Sequence, residues 1–264
     1  MISDFFLALI LALIQGLTEF LPISSSAHLL FPSLLFGAKD FGIVFDISVH
    51  TGTLVAVIYY FKKEILGLLH AWMPWSSNNS KENFSLGLHL IVATLPIVLV
   101  GLLASDFSGS RTANINSIAL ANLVFAALLF AAYKSSSQSK SLAELTLFAA
   151  LIIGCFQALA VLPGASRSGM AITGALIIGL NIKDTSRIAF LLRIPTILGA
   201  LVLMLAKGGF SIVSSDMIIM LIGFMGSAFV AFITIKGFLK FVENIGMTPF
   251  VLYRVALGVV LLLL

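Results

Sequence analysis

Gln15-Gly-Leu-Thr-Glu-Phe-Leu-Pro-Ile-Ser-Ser-Ser-Ala-His28 interrupts one apolar segment, and Pro163-Gly-Ala-Ser-Arg-Ser-Gly169 interrupts another. Phe5–Ile14, half a membrane span, leads into the first stretch. Leu145–Leu162 leads into the second, and Met170–Leu180, again half a span, follows it. The two approaches read alike. Gln15-Gly-Leu-Thr-Glu-Phe-Leu-Pro22 parallels Gln157-Ala-Leu-Ala-Val-Leu-Pro163 at an offset of about 141 residues, and a serine cluster follows each proline. A fainter echo links Ala93-Thr-Leu-Pro96 with Leu192-Arg-Ile-Pro195, although their order within the halves differs.

Composition says what surrounds these stretches. Of 264 residues, 60% are hydrophobic and 10% charged, and the mean hydropathy is +1.14. Soluble domains run at roughly 45–50% apolar and about 25% charged, so this chain has too little charge to cover a water-facing surface. The same arithmetic excludes a disordered chain, a nucleic-acid-binding protein and a disulfide scaffold; Cys155 is the only cysteine. Asp4 stands where a cleavable signal would carry a basic residue, and no small-residue cleavage site follows, so the whole chain is read as mature.

A helix needs about 20 mostly apolar residues to cross the hydrocarbon core. Val44–Phe61, Leu86–Ala104, Asn116–Tyr133, Ile188–Ala206 and Met217–Ile235 qualify, with the shorter Pro249–Leu264 as a sixth. The expected fold is therefore an all-α polytopic membrane protein, one integral domain over 1–264. It is built as an inverted repeat of halves 1–140 and 141–264, each one re-entrant helical hairpin plus three transmembrane helices. Non-helical backbone at membrane depth is tolerated only against protein or a water-filled cavity, so the two serine-rich tips should meet in a polar pocket. Lys62, Lys63, Lys81, Lys134, Lys140, Lys183, Arg187, Lys236 and Lys240 collect on one side, against Lys39, Arg111 and Lys207 on the other. That imbalance places the first set in the cytoplasm and both termini outside.

Ionisable groups inside a membrane default to a functional hypothesis. Here they are Glu19, His28, Asp46, His50, Arg167, Arg193 and Arg254. The first tip gathers Glu19, Ser24, Ser25, Ser26 and His28; the second gathers Ser166, Arg167 and Ser168. An arginine among hydroxyls and helix-terminal amides suits an oxyanion, above all a phosphate. Glu19 would repel that anion unless a divalent cation, Mg²⁺ or Ca²⁺, lay between them. Ser25 and His28, three apart, also meet the minimum for a serine nucleophile with an imidazole base. The blander readings are that the serines cap helices, that Asp46 and His50 pair with each other, and that Arg193 and Arg254 are structural. His70 and His89 read as surface residues, and Gly174, Gly179, Gly223 and Gly226 as close-packing positions.

In this order, and in a chain of this size, the two stretches resemble the undecaprenyl-diphosphate phosphatase family, the BacA-type bacitracin-resistance phosphatases. Phe45-Asp46…His50-Thr-Gly-Thr and Pro249-Phe250…Tyr253-Arg254 extend the resemblance across the chain. It implies an enzyme of the bacterial inner membrane that removes the terminal phosphate of the C55 isoprenoid diphosphate at a site open to the outer face. That reaction recycles the lipid carrier for cell-wall synthesis and confers bacitracin resistance. Glu19 would then be the essential acid assisting metal or nucleophile, Ser25 the nucleophile, His28 its acid/base partner and Arg167 the diphosphate clamp. Ser24, Ser26, Ser166 and Ser168 would bind phosphate oxygens. Glu19 and Gln15 would face the metal, though Gln15 stands where many members carry Glu, and Arg193 where a small residue is commoner. The expected partners are the polyprenyl diphosphate and membrane lipid, with a second copy of the chain as a candidate homodimer. Two other readings stay open: a polyprenyl-phosphate transporter or flippase, from the broken helices, and an intramembrane serine protease, from Ser25 and His28.

Overall fold

The computed structural model of the protein describes residues 2–73, 80–103, 114–206 and 217–264. Among them the chain is helical, with one isolated β-bridge between Lys140 and Leu180 and no strand. The helices are α1 (Ile2–Thr18), α2 (Ser25–Phe36), α3 (Ile43–Tyr60), α4 (Lys62–Ala71), α5 (Lys81–Leu103) and α6 (Ile115–Ser135). The second half holds α7 (Leu147–Ala158), α8 (Arg167–Ile177), α9 (Ile182–Leu191), α10 (Arg193–Ala206), α11 (Met217–Ile245) and α12 (Thr248–Leu263). Among the described residues five stretches are long and apolar enough to cross a membrane: α3, α5, α6, Ile182–Leu203 and α11. This is the length and composition of a multi-pass membrane protein. Large apolar side chains such as Phe6, Phe148, Phe229 and Leu263 lie exposed on the outside, where lipid rather than water suits them.

Local chemistry sets the helix ends. Asn114, Thr146 and Asn181 each accept the backbone N–H three residues on, starting α6, α7 and α9. Pro195 has no N–H for the Leu191 carbonyl, and the span breaks at Leu192 into α9 and α10. The break leaves Arg193 as the first residue of α10.

Both ends of each interrupted segment lie together. Lys39 Nζ, after α2, is 3.1 Å from Asp4 Oδ2 at the start of α1. Lys140 N donates to Gly179 O at 3.0 Å, and Leu142 N to Asp184 Oδ2 at 3.0 Å, so the entry to α7 meets the exit from α8. Arg187 Nε, 2.9 Å from Glu64 Oε2 in the first turn of α4, ties this second junction to the chain just beyond α3, which is about 27 Å long. α1 packs along α11, and α7 along α5, so the first arm of each interrupted segment lies against a helix of the other half. Gly52 of α3 faces the Phe224 carbonyl of α11, and Gly154 of α7 faces the Ala93 carbonyl of α5; a Cβ in either would overlap backbone.

Several expectations need correction. α11 runs ten residues beyond the expected span and carries Lys236 and Lys240 on its last turns rather than in a loop. Lys62 and Lys63 open a further helix, α4, that lies outside the expected spans. His89 is buried within α5, whereas His70 is exposed as expected. Gly174, Gly223 and Gly226 do meet neighbouring helices, but Gly179 ends α8 in a turn at φ +88°. Arg111 and Lys207, from the charge count, lie outside the described residues.

Candidate active site

The two tips meet. Ser168 Oγ, on the first turn of α8, donates to Leu21 O of the first tip at 2.8 Å. Arg254 of α12, fully buried, donates from Nη1 to Pro22 O (3.3 Å) and Ala165 O (3.1 Å), and from Nη2 to Gly164 O (2.8 Å). One guanidinium thus satisfies carbonyls of both loops, which have no helix to bond them. Ser24 and Ser166, 142 positions apart, precede α2 and α8 with the same left-handed φ of 71°. Both helices therefore begin at this junction, with their free N–H groups and positive dipole ends there.

Glu19 lies at the centre, with no exposure. Its Oε1 accepts from Arg193 Nη1 and lies 3.6 Å from Arg167 Nη2. Its Oε2 accepts from Ser25 Oγ and from Gln15 Nε2 at 3.0 Å, and His50 Nε2 stands 3.7 Å away. Arg193 Nη2 also donates to the backbone carbonyl of Glu19. The second tip, through Arg167, and the first, through Ser25, thus share one carboxylate. Arg167 keeps 24% of its side chain exposed and Arg193 only 4%, so Arg167 is the guanidinium a ligand can reach.

His28 is placed differently from the sequence expectation. A carbonyl can only accept, so Nδ1 carries the proton it donates to Ser24 O at 2.8 Å. Nε2 is 2.6 Å from Tyr253 OH. The serine hydroxyl is bonded to Glu19 and the imidazole to Tyr253, so the motif's Ser25 and His28 take different partners. The His50 Nδ1 donates to the Asp46 backbone carbonyl at 2.6 Å, which aims Nε2 at Glu19. Among the four serines assigned to phosphate, Ser166 caps α8 through Gly169 N, and Ser168 bonds the other tip. Ser24 and Ser26 face each other at 3.4 Å, with Ser26 exposed. His50 and Arg193, which the sequence offers only as a paired and a structural residue, and Tyr253, to which it assigns no role, all touch the site residues. All three were visible as polar groups in apolar helices, without a sign of what they touch.

A model of the bacitracin resistance protein BacA matches residues 8–260. This chain belongs to the BacA family. Three curated relatives are similar over nearly their whole length, each called undecaprenyl-diphosphatase. That of Saccharophagus degradans is 45% identical over 97% of this chain and 96% of its own. That of Alcanivorax borkumensis is 45% identical over 98% of both chains, and that of Teredinibacter turnerae 43% over 98% of both.

The donor set of this BacA-family chain does not suit the divalent cation that the resemblance implies. Such a cation takes several oxygen ligands, carboxylates foremost. Among the described residues no three His, Cys, Asp or Glu side chains stand together to hold one. Glu19 is the carboxylate at the junction, and both its oxygens already accept from neighbouring donors. Gln15 adds an amide oxygen, buried and without a hydrogen-bond partner, but no charge.

Proposed function

We propose that this protein is an undecaprenyl-diphosphatase of the bacterial inner membrane. It hydrolyses the C55 isoprenoid diphosphate to the lipid monophosphate and inorganic phosphate, which returns the carrier to cell-wall synthesis and gives bacitracin resistance. The observation that carries this reading is the meeting of Ser25 and Arg167, from the two tips, on Glu19 in a chain of this family. The carrier alternative gains nothing from relatives named for a hydrolase.

Phosphoryl transfer asks chiefly for positioning and charge stabilisation. Arg167 and the N–H groups opening α2 and α8 hold the diphosphate, with Ser26 beside them. Ser25 Oγ attacks the terminal phosphorus and its proton passes to Glu19 Oε2. The bond to the bridging oxygen breaks, and lipid monophosphate leaves a phosphoserine behind. Water then attacks that phosphorus and gives a proton to Tyr253 as Tyr253 passes its own to His28 Nε2; Glu19 returns the first proton to Ser25, and His28 hands the second back through Tyr253 to the departing phosphate. Tyr253 and Ser24 O fix the imidazole for this step. The polyprenyl tail stays in lipid.

We also read the two interrupted segments as re-entrant hairpins in inverted halves, entering from opposite faces. The paired ends at Asp4–Lys39 and at Lys140–Gly179 support this, as does the length of α3 between them. With the lysine-rich junction in the cytoplasm, both termini and the site mouth face outward. The homodimer stays a proposal without an assigned face.

Ser25→Ala tests the chemistry. Phosphate release should fall by about 10²–10³-fold, with lipid binding changed only a few-fold. Full activity in this variant would pass the attack to a water.

A further inference from the structure

We propose that Arg193 is the resident cation of this site, a positioning residue that occupies the place beside Glu19 where a divalent metal would sit, so that hydrolysis runs without one. The inference rests on the phosphatase reading above. Three observations carry it. Arg193 grips Glu19 twice, through Nη1 to the carboxylate and through Nη2 to the backbone carbonyl, as a bound ion would bridge side chain and main chain. It is 4% exposed and lies 5.4 Å over the Phe20 ring, so it is held in place beneath the reachable Arg167. Residue 15 is the third observation. Gln15 Nε2 donates to Glu19 Oε2 at 3.0 Å, which a carboxylate could not do; a glutamate there would repel Glu19 unless a metal lay between them.

The charges agree. One carboxylate and two guanidiniums leave the site with a single net positive charge for the incoming diphosphate. Two carboxylates, a divalent cation and Arg167 would leave the same. A guanidinium stays protonated and does not exchange with solution, so Glu19 is held ready for Ser25 at any cation concentration.

The test is phosphate release from undecaprenyl diphosphate by the detergent-purified protein after EDTA treatment, alongside calorimetric titration with Ca²⁺ and Mg²⁺. Wild type should keep its rate within about twofold in EDTA and show no binding that Glu19→Gln abolishes. Gln15→Glu combined with Arg193→Ala should bind one cation through Glu19 and become EDTA-sensitive, whereas Arg193→Lys should stay EDTA-insensitive. A tenfold or greater loss of wild-type rate in EDTA, restored by Mg²⁺ or Ca²⁺, would overturn the proposal, as would wild-type binding that depends on Glu19. Should the double variant fail to fold, the wild-type results decide alone. A wild type that releases no phosphate under any condition defeats the phosphatase reading instead, and the titrations still judge Arg193.

Discussion

Arg167→Ala should lower phosphate release from undecaprenyl diphosphate by about 10³-fold while the protein stays folded. Arg167 is the partly exposed guanidinium of the junction, and its nearest counter-charge, Glu19, is also held by Arg193, Ser25 and Gln15. Removing it therefore leaves no buried charge unpaired. What is lost is the bidentate clamp on the diphosphate and the charge that grows on phosphate oxygens in the transition state. Both KM and kcat should suffer, and Arg167→Lys should recover only part, because an ammonium cannot make the planar two-point contact. Steady-state kinetics with a thermal-unfolding control separates this from misfolding.

Glu19→Gln should do what Arg167→Ala does not: it should cost stability as well as activity. Arg193 would keep a buried guanidinium with only a carbonyl and an amide to face it. Breaking a buried pair from one side costs about 3–5 kcal/mol, which lowers the melting temperature by roughly 10 °C in a chain of this size. Ser25 would lose its base at the same time. Adding Arg193→Met to Glu19→Gln should restore most of the melting temperature, since the stranded charge is gone, and none of the phosphate release. Recovery of activity in that double variant would show that Glu19 acts only as a counter-ion.

How far the site could be read from sequence depended on distance along the chain. Glu19 and Ser25 lie six residues apart in one stretch and Arg167 in a second, and the repeat marked both. Arg193 lies 174 positions from Glu19, and the break at Pro195 that presents it falls inside Ile188–Ala206, whose hydropathy alone reads as one unbroken span. His50 follows Asp46 by four, a spacing that suggests paired side chains. The ring bonds the Asp46 backbone carbonyl and turns toward Glu19. Tyr253 reaches His28 across 225 residues, a contact no periodicity encodes. The membrane helices were legible because a span is a local property of about 20 residues. Helix α4 was not, because its ten residues carry Lys62, Lys63 and Glu64 and resemble a polar loop.

The central claim is that the junction of the two tips breaks a phosphoanhydride bond, and one assay meets it directly. Detergent-purified wild-type protein is incubated with undecaprenyl diphosphate, and inorganic phosphate and lipid monophosphate are measured together. The account predicts one phosphate and one lipid monophosphate for each diphosphate consumed. Folded protein that binds the lipid through Arg167 yet releases no phosphate would contradict it and make the junction a carrier's binding site.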